Sequence, residues 1–169
     1  RADLADPPSP SLNRGSLALG QVNVQSRATR TLTVNNTGGS TLRAVAELAG
    51  ENPDQFEITS GQSIRVDPGE TASVTVAFAP SVREEFDATL VLATNAPGVP
   101  VRNVSLSGTG IGSQLELTTE RPLRFGRIDP AQTRTESVTI SNAGNGPLTA
   151  NATVLSGSAN PDAFSVAFS

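Results

Sequence analysis

The chain has 169 residues, a formal net charge of −4 and a hydrophobic fraction of 36%. It contains no Cys, His, Trp, Tyr or Met, and all twelve of its basic residues are Arg. These absences exclude disulfides, thiol chemistry and metal sites built on His or Cys, and they leave Ser or Thr without a His or Lys base. The acidic balance opposes a nucleic-acid partner, and no apolar run reaches the roughly 18 residues that a membrane-spanning helix needs. We therefore expect a non-enzymatic protein without cofactors, metals or a membrane-spanning segment.

Alternation of apolar and polar residues predicts short β-strands from residue 16 onward. Residues 1–13, which include three prolines, are predicted as an extended tail or linker. Leu17 and Leu19 mark the first strand, and Leu32 and Val34 mark the second. The further predicted strands are residues 42–48, 56–59, 63–66, 71–78, 86–94 and 101–107. Turn sequences such as Asp67-Pro68-Gly69-Glu70 separate them, and spacings of about ten residues are typical of a two-sheet antiparallel sandwich.

An internal repeat sets the domain organisation. Residues 17–22 align with 123–128, and residues 31–38 align with 137–144 at the same offset. Such self-similarity indicates tandem modules. We predict an all-β fold of tandem immunoglobulin-like antiparallel β-sandwiches, of which the second is incomplete within this chain. The predicted segments are the tail (1–13), the first sandwich (14–110), a linker (111–116) and the N-terminal half of a second sandwich (117–169).

The incomplete second repeat leaves apolar residues in need of a cover. Val138, Ile140, Leu148 and Phe164 align with predicted core residues, and an uncovered half-sandwich favours aggregation. One explanation is that the chain continues beyond Ser169. The other is donor-strand completion of residues 117–169 by another subunit, with the 1–13 tail of a neighbour as a candidate donor.

Three groups of polar residues are candidate sites, and for each a structural explanation is favoured. Glu84, Glu85 and Asp87 form the densest acidic group, but adjacent strand residues face opposite sides and cannot converge on one bond. The recurring Asn-Pro-Asp sequences at 52–54 and 160–162 offer too few oxygen ligands for calcium and are typical turn formers. The sequons at Asn35, Asn103 and Asn151 fit their strand context without glycosylation.

The predicted last strand of the first repeat, residues 101–107, carries little of the charge that normally protects a sheet edge. If the protein is a recognition module, Val101, Asn103, Ser105 and Ser107 are the residues expected to pair with a partner strand at this edge.

The order of motifs in the first repeat resembles the choice-of-anchor D repeats and the related abnormal-spindle/hydin-type, major-sperm-protein-like immunoglobulin folds. The motifs are L-x-L-G-x-V, T-L-T-V-N-N-T-G, N-P-D-x-F-x-I, V-x-P-G-E and V-S-L-S-G-T-G, spread over residues 16–110. The resemblance implies tandem modules of large bacterial proteins at the cell surface or outside the cell, with eukaryotic relatives on cilia and centrosomes, and no shared catalytic residues.

From these expectations the leading function is a structural or adhesive module that acts as a spacer or filament element through protein partners or self-association. The alternative is a recognition module that binds a partner strand or peptide at a sheet edge.

Overall fold

The structure, a computed structural model, describes residues 6–118, 122–155 and 160–167. The strands are β1 (Pro10–Leu12), β2 (Ser16–Asn23), β3 (Ala28–Asn36), β4 (Leu42–Ala49), β5 (Phe56–Ser60), β6 (Ser63–Val66), β7 (Thr71–Phe78), β8 (Glu85–Thr94), β9 (Val101–Ile111), β10 (Leu115–Leu117) and β11 (Ile140–Asn142). In the described residues the only other regular elements are two 3-10 turns, Pro53–Gln55 and Pro161–Ala163. The predicted all-β, immunoglobulin-like fold class is confirmed.

The chain divides into two units, of which the first comprises Arg1–Gly112 and Gly144–Gly146. This unit is a sandwich of a five-stranded sheet, in the order β2-β9-β8-β4-β6, and a four-stranded sheet, in the order β1-β3-β7-β5. All pairings within the two sheets are antiparallel except β2 with β9, which is parallel. The parallel pair brings the start of the sandwich beside its last strand.

The core lies between the two sheets and is built from the alternate apolar residues that define the strands. Leu32, Val34, Leu90 and Leu106 are each no more than 1% exposed. Phe78 is fully buried, and its ring centroid lies 5.0 Å from that of Phe56 and 5.9 Å from that of Phe86. Burial of one such side chain stabilises the fold by about 1.5–3 kcal/mol, before the entropic cost of ordering it.

The tail prediction is wrong for Pro10–Leu12, because these residues form β1 and pair with residues 34–36 of β3. Pro10 carries no N–H group, and the prolines around it suggested an unpaired segment. A strand tolerates Pro at its first residue, however, and β1 is an edge strand.

The second unit comprises Ser113–Ala143 and Pro147–Ser169. Its described strands are β10 and β11, which pair antiparallel, with Leu117 opposite Ile140. The side chains of Val138, Ile140 and Phe164 are 43%, 36% and 50% exposed, whereas their counterparts Leu32, Val34 and Phe56 are buried. The predicted segment boundaries stay predictions.

Within the described residues, no helix is long and apolar enough to cross a membrane.

Candidate functional site: the exposed sheet edges

The structure divides the four residues predicted to pair at a sheet edge into two pairs. Ser105 and Ser107 lie between two strands, since they face β8 on one side and Ser16 and Ala18 of β2 on the other. The Ser105 N–H also donates to the Gly15 C=O at 3.2 Å. The edge prediction is wrong for these two residues, because the parallel strand β2 pairs with the side of β9 that was predicted to be an exposed edge.

Val101 and Asn103 pair with β8, and both precede Ser105, which is the first residue of β9 that pairs with β2. Both are exposed. Pairing with a partner strand at these two residues stays a prediction.

The edge strand that best fits strand recognition is β2. Edge strands that resist pairing are short or carry Pro, Lys or other charged residues. Strand β2 is eight residues long, with the sequence SLALGQVN, and has neither a proline nor a charged side chain. The one irregularity is a bulge between Ala18 and Gly20, where Gly20 adopts a φ of 79° that suits a residue without a Cβ.

The other three edges of the described sandwich are shorter and better protected. Strand β1 has three residues and begins with Pro10, and β6 has four residues and carries Arg65. Strand β5 has five residues and carries Glu57, which forms an ion pair with Arg27 at 2.6 Å. By length and charge, β2 is therefore the most open of the four edges.

Among the described residues, no strand pairs with the backbone groups on the open side of β2. In a ladder, alternate residues of a strand bond to a given neighbour. Because the Gly15 C=O accepts from the Ser105 N–H, the odd-numbered residues that precede the bulge are the ones that bond to β9. The N–H and C=O groups of Ser16 and Ala18 therefore point away from the sheet, while Leu17 and Leu19 enter the core. A strand added there would gain backbone hydrogen bonds and extend the core.

The acidic group does not form a site. Glu84, Glu85 and Asp87 are all exposed, and the described residues contain no group of three or more His, Cys, Asp or Glu that could hold a metal ion. The Asp87 N–H donates to the side-chain oxygen of Asn52 at 3.3 Å, and the Asn52 N–H donates to the Asp87 C=O at 3.1 Å. Two hydrogen bonds thus connect the loop that contains the first Asn-Pro-Asp sequence to β8.

The second Asn-Pro-Asp sequence forms a 3-10 turn with the same hydrogen bond as the first, although Asn160 has a φ of 57° and Asn52 a φ of −128°. The Phe56 N–H donates to the Pro53 C=O, and the Phe164 N–H donates to the Pro161 C=O. Both Asn-Pro-Asp sequences are therefore structural turns.

Comparison with known proteins identifies the sandwich. The family model for Cep192 domain 4 matches residues 8–111. No curated protein matches the sequence.

Among solved structures, PapD-like domain 7 of human CEP192, an ASH / PapD-like domain, superposes with a TM-score of 0.52 at 14% identity. The match covers 62% of this chain and 87% of that chain. A protein of unknown function from Porphyromonas gingivalis W83 gives a TM-score of 0.53 at 17% identity. That match covers 62% of this chain and 48% of that chain, so it spans about half of the P. gingivalis protein. At these identities the two structures show a shared PapD-like fold of immunoglobulin type.

Proposed function

Because the chain belongs to the Cep192 domain 4 family, we propose that it is a non-catalytic protein-interaction module that binds an extended partner strand at the open edge of β2. The observation that carries the proposal is the combination of eight uncharged residues and outward backbone groups at Ser16 and Ala18. Strand addition draws its affinity from main-chain hydrogen bonds and its specificity from alternate side chains.

The experiment selects ten-residue peptides from a display library against the whole chain and then tests an Ala18→Pro variant. Proline removes the outward N–H of Ala18 and leaves the ladder to β9 intact, because edge strands accept Pro at such positions. Ser63→Pro on β6 is the matched control. We expect selected peptides to lose binding to Ala18→Pro and to keep binding to Ser63→Pro. Peptides that bind Ala18→Pro unchanged, or a selection without enrichment, would contradict the proposal.

A second candidate function is a spacer or filament element, which the equivalent pairing in the two units favours. The Asn13 N–H donates to the Thr33 C=O at 3.2 Å, and the Thr118 N–H donates to the Thr139 C=O at 3.1 Å. Tandem modules of this kind would resist extension, since many backbone bonds must break together. Force spectroscopy on the chain should then show an unfolding event above background, and its absence would remove this candidate.

The setting of this second function is also a proposal. We propose a choice-of-anchor D-type repeat of a bacterial protein at the cell surface or outside the cell. The motif order over residues 16–110 and the Arg-only, Cys-free composition support it. Detection of the protein only in the cytoplasm of its source cell would contradict it.

Donor-strand completion of residues 117–169 is proposed as a route to self-association. The exposed Val138, Ile140 and Phe164 support it, because their counterparts in the first unit are covered by strands. The 1–13 tail is a poor donor, since Pro10–Leu12 already pairs with β3 of its own chain. Mass measurement should show a mass above that of the monomer, and a purely monomeric chain at high concentration would contradict the proposal.

A further inference from the structure

Two arginines lie directly opposite one another on the outer face of the five-stranded sheet. Arg43 of β4 and Arg65 of β6 are cross-strand partners, and both are exposed. The Ala46 N–H donates to the Gln62 C=O at 2.7 Å. Because hydrogen-bonded and non-hydrogen-bonded pairs alternate along an antiparallel ladder, Ala44 and Ile64, two residues along, are also a hydrogen-bonded pair. The two arginines are therefore a non-hydrogen-bonded pair, whose Cα atoms approach to about 4.5 Å. Like charges in that position destabilise a sheet.

The polar groups around this pair hold the backbone and neutralise only part of its charge. The side-chain oxygen of Asn95 accepts from the Arg43 N–H at 2.8 Å, and its amide group donates to the Thr41 C=O at 3.1 Å. A guanidinium nitrogen of Arg65 lies 3.3 Å from the Asp67 carboxylate. Within the described part of the chain, the Arg43 guanidinium forms no ion pair. The pair thus keeps a local positive charge on a protein whose net charge is −4.

An apolar row lies next to the arginine pair. Val45 of β4, Ala93 of β8 and Val101 of β9 are consecutive cross-strand partners, and the two valines are 45% and 51% exposed. The row is two residues along β4 from Arg43, or about 6.6 Å. An open groove of about 450 Å³ contains the arginine pair and the part of the row formed by Val45 and Ala93, and Ser63 and Asn95 also line it.

We propose that this groove binds an acidic side chain of a protein partner, with its carboxylate between Arg43 and Arg65 and a nearby apolar side chain on the Val45, Ala93 and Val101 row. Guanidinium groups bind carboxylates through paired hydrogen bonds, and two of them at one position form a selective anion site. A nearby anion would also relieve the repulsion within the pair. Such a local conflict with the rules of sheet stability is typical of a functional position.

The arginine pair, on β4 and β6, lies away from the β2 edge, whereas the apolar row reaches β9 at Val101, which β2 does not pair with. Strand β6 and strand β2 are the two opposite edges of the same sheet, with β4, β8 and β9 between them. At about 4.8 Å per strand, they lie roughly 19 Å apart. A partner could use either site without the other.

The experiment follows the Nε–Hε signals of the arginines in ¹⁵N spectra of the full chain, which has no Lys or His side chains to overlap them. The probe is acetyl-Val-Thr-Glu-Thr-Val-amide, which places the acidic residue two positions from an apolar one. The matched probe has Gln in place of Glu. We expect saturable shifts at Arg43 and Arg65 with the Glu peptide and an affinity at least about fivefold lower for the Gln peptide.

Variants and a second anion complete the test. Arg43→Gln should abolish the shift at Arg65, whereas Arg30→Gln, an exposed arginine of β3 on the other sheet, should leave it unchanged. The Ala18→Pro variant should bind the Glu peptide normally, so loss of the β2 function does not affect this readout. Equal shifts with the Gln peptide, no shift at Arg43 and Arg65, or tighter binding of inorganic phosphate than of the peptide would each overturn the proposal.

Discussion

Asn36 is a fully buried polar residue that joins the two sheets. It lies at the end of β3, and its amide nitrogen donates to the Val66 C=O at 3.0 Å and the Ser40 C=O at 2.8 Å. Its amide oxygen accepts from the N–H groups of Ser9, at 3.2 Å, and Gly38, at 3.1 Å. In the sequence analysis Asn36 appears only within the sequon at Asn35 and within the motif T-L-T-V-N-N-T-G.

We predict that Asn36→Ala lowers the free energy of unfolding by about 3 kcal/mol, because it leaves several buried backbone groups without partners. Urea unfolding measures the change. Asn35→Ala, one residue earlier and half-buried, is the control and should cost less than about 0.5 kcal/mol. Similar losses for the two variants would show that the Asn36 side chain does not join the sheets.

Gly108 of β9 is a second residue whose identity depends on contacts between the two sheets, in this case with an aromatic ring. It faces the core from β9, and a Cβ atom there would lie 2.5 Å from the Phe78 ring. Overpacking of this kind forces neighbouring side chains to move.

Gly108→Ala should therefore destabilise the sandwich by about 1–3 kcal/mol. Combining it with Phe78→Leu should recover part of that loss relative to the two single variants, which a double-mutant cycle by thermal unfolding would detect. Gly98→Ala serves as the control, since its added Cβ meets nothing within 4 Å. Strict additivity of Gly108→Ala and Phe78→Leu would be inconsistent with a steric cause.

At the scale of elements, the sheet edges are protected to different degrees. Strands β1, β5 and β6 are shielded by Pro10, the Arg27–Glu57 ion pair and Arg65, whereas β2 depends on its bulge alone. The unshielded edge is the one to which the proposed recognition function is assigned.

The arginine pair across β4 and β6 should lower the stability of the pairing between these two strands. Arg43→Gln should raise the free energy of unfolding by up to about 0.5 kcal/mol at low salt, because it removes a like charge opposite Arg65. The gain should shrink as salt increases, since salt screens exposed charges. Denaturant titrations at two salt concentrations test this, with Arg30→Gln as the control. A loss of stability at low salt would mean that repulsion is not the dominant effect of Arg43.

At the scale of the whole molecule, the two units differ in how well their apolar residues are covered. In the first unit the counterparts Leu32, Val34 and Phe56 are at most 5% exposed, whereas in the second unit Val138, Ile140 and Phe164 are at least 36% exposed. Burial of apolar surface is the main source of cooperative stability.

We predict that amides of β3, β8 and β9 exchange with deuterium only by global unfolding of the first unit. Amides in β10 and β11 should exchange at least about 100-fold faster, because few buried contacts oppose local opening there. Exchange followed by mass spectrometry resolves the two sets. Equal protection in both units would show that the face containing Val138 and Ile140 is covered in solution.

The sequence by itself determined strands β2 to β9 and their inward faces, because alternation is a local property of each segment. All predicted strands of the first repeat, from Leu17 to residue 107, lie in observed strands. The all-β fold followed from the same pattern.

Only the tertiary structure decided which strands are edges and which charges face one another. The parallel neighbour of β9 is β2, which lies more than 80 residues earlier in the chain. The pattern within residues 101–107 therefore cannot predict that this side of β9 is paired. The same holds for Pro10–Leu12, for the partners of Asn36 and for the opposition of Arg43 and Arg65. Each depends on contacts between segments distant in sequence, which closure of the sandwich fixes and local periodicity does not encode.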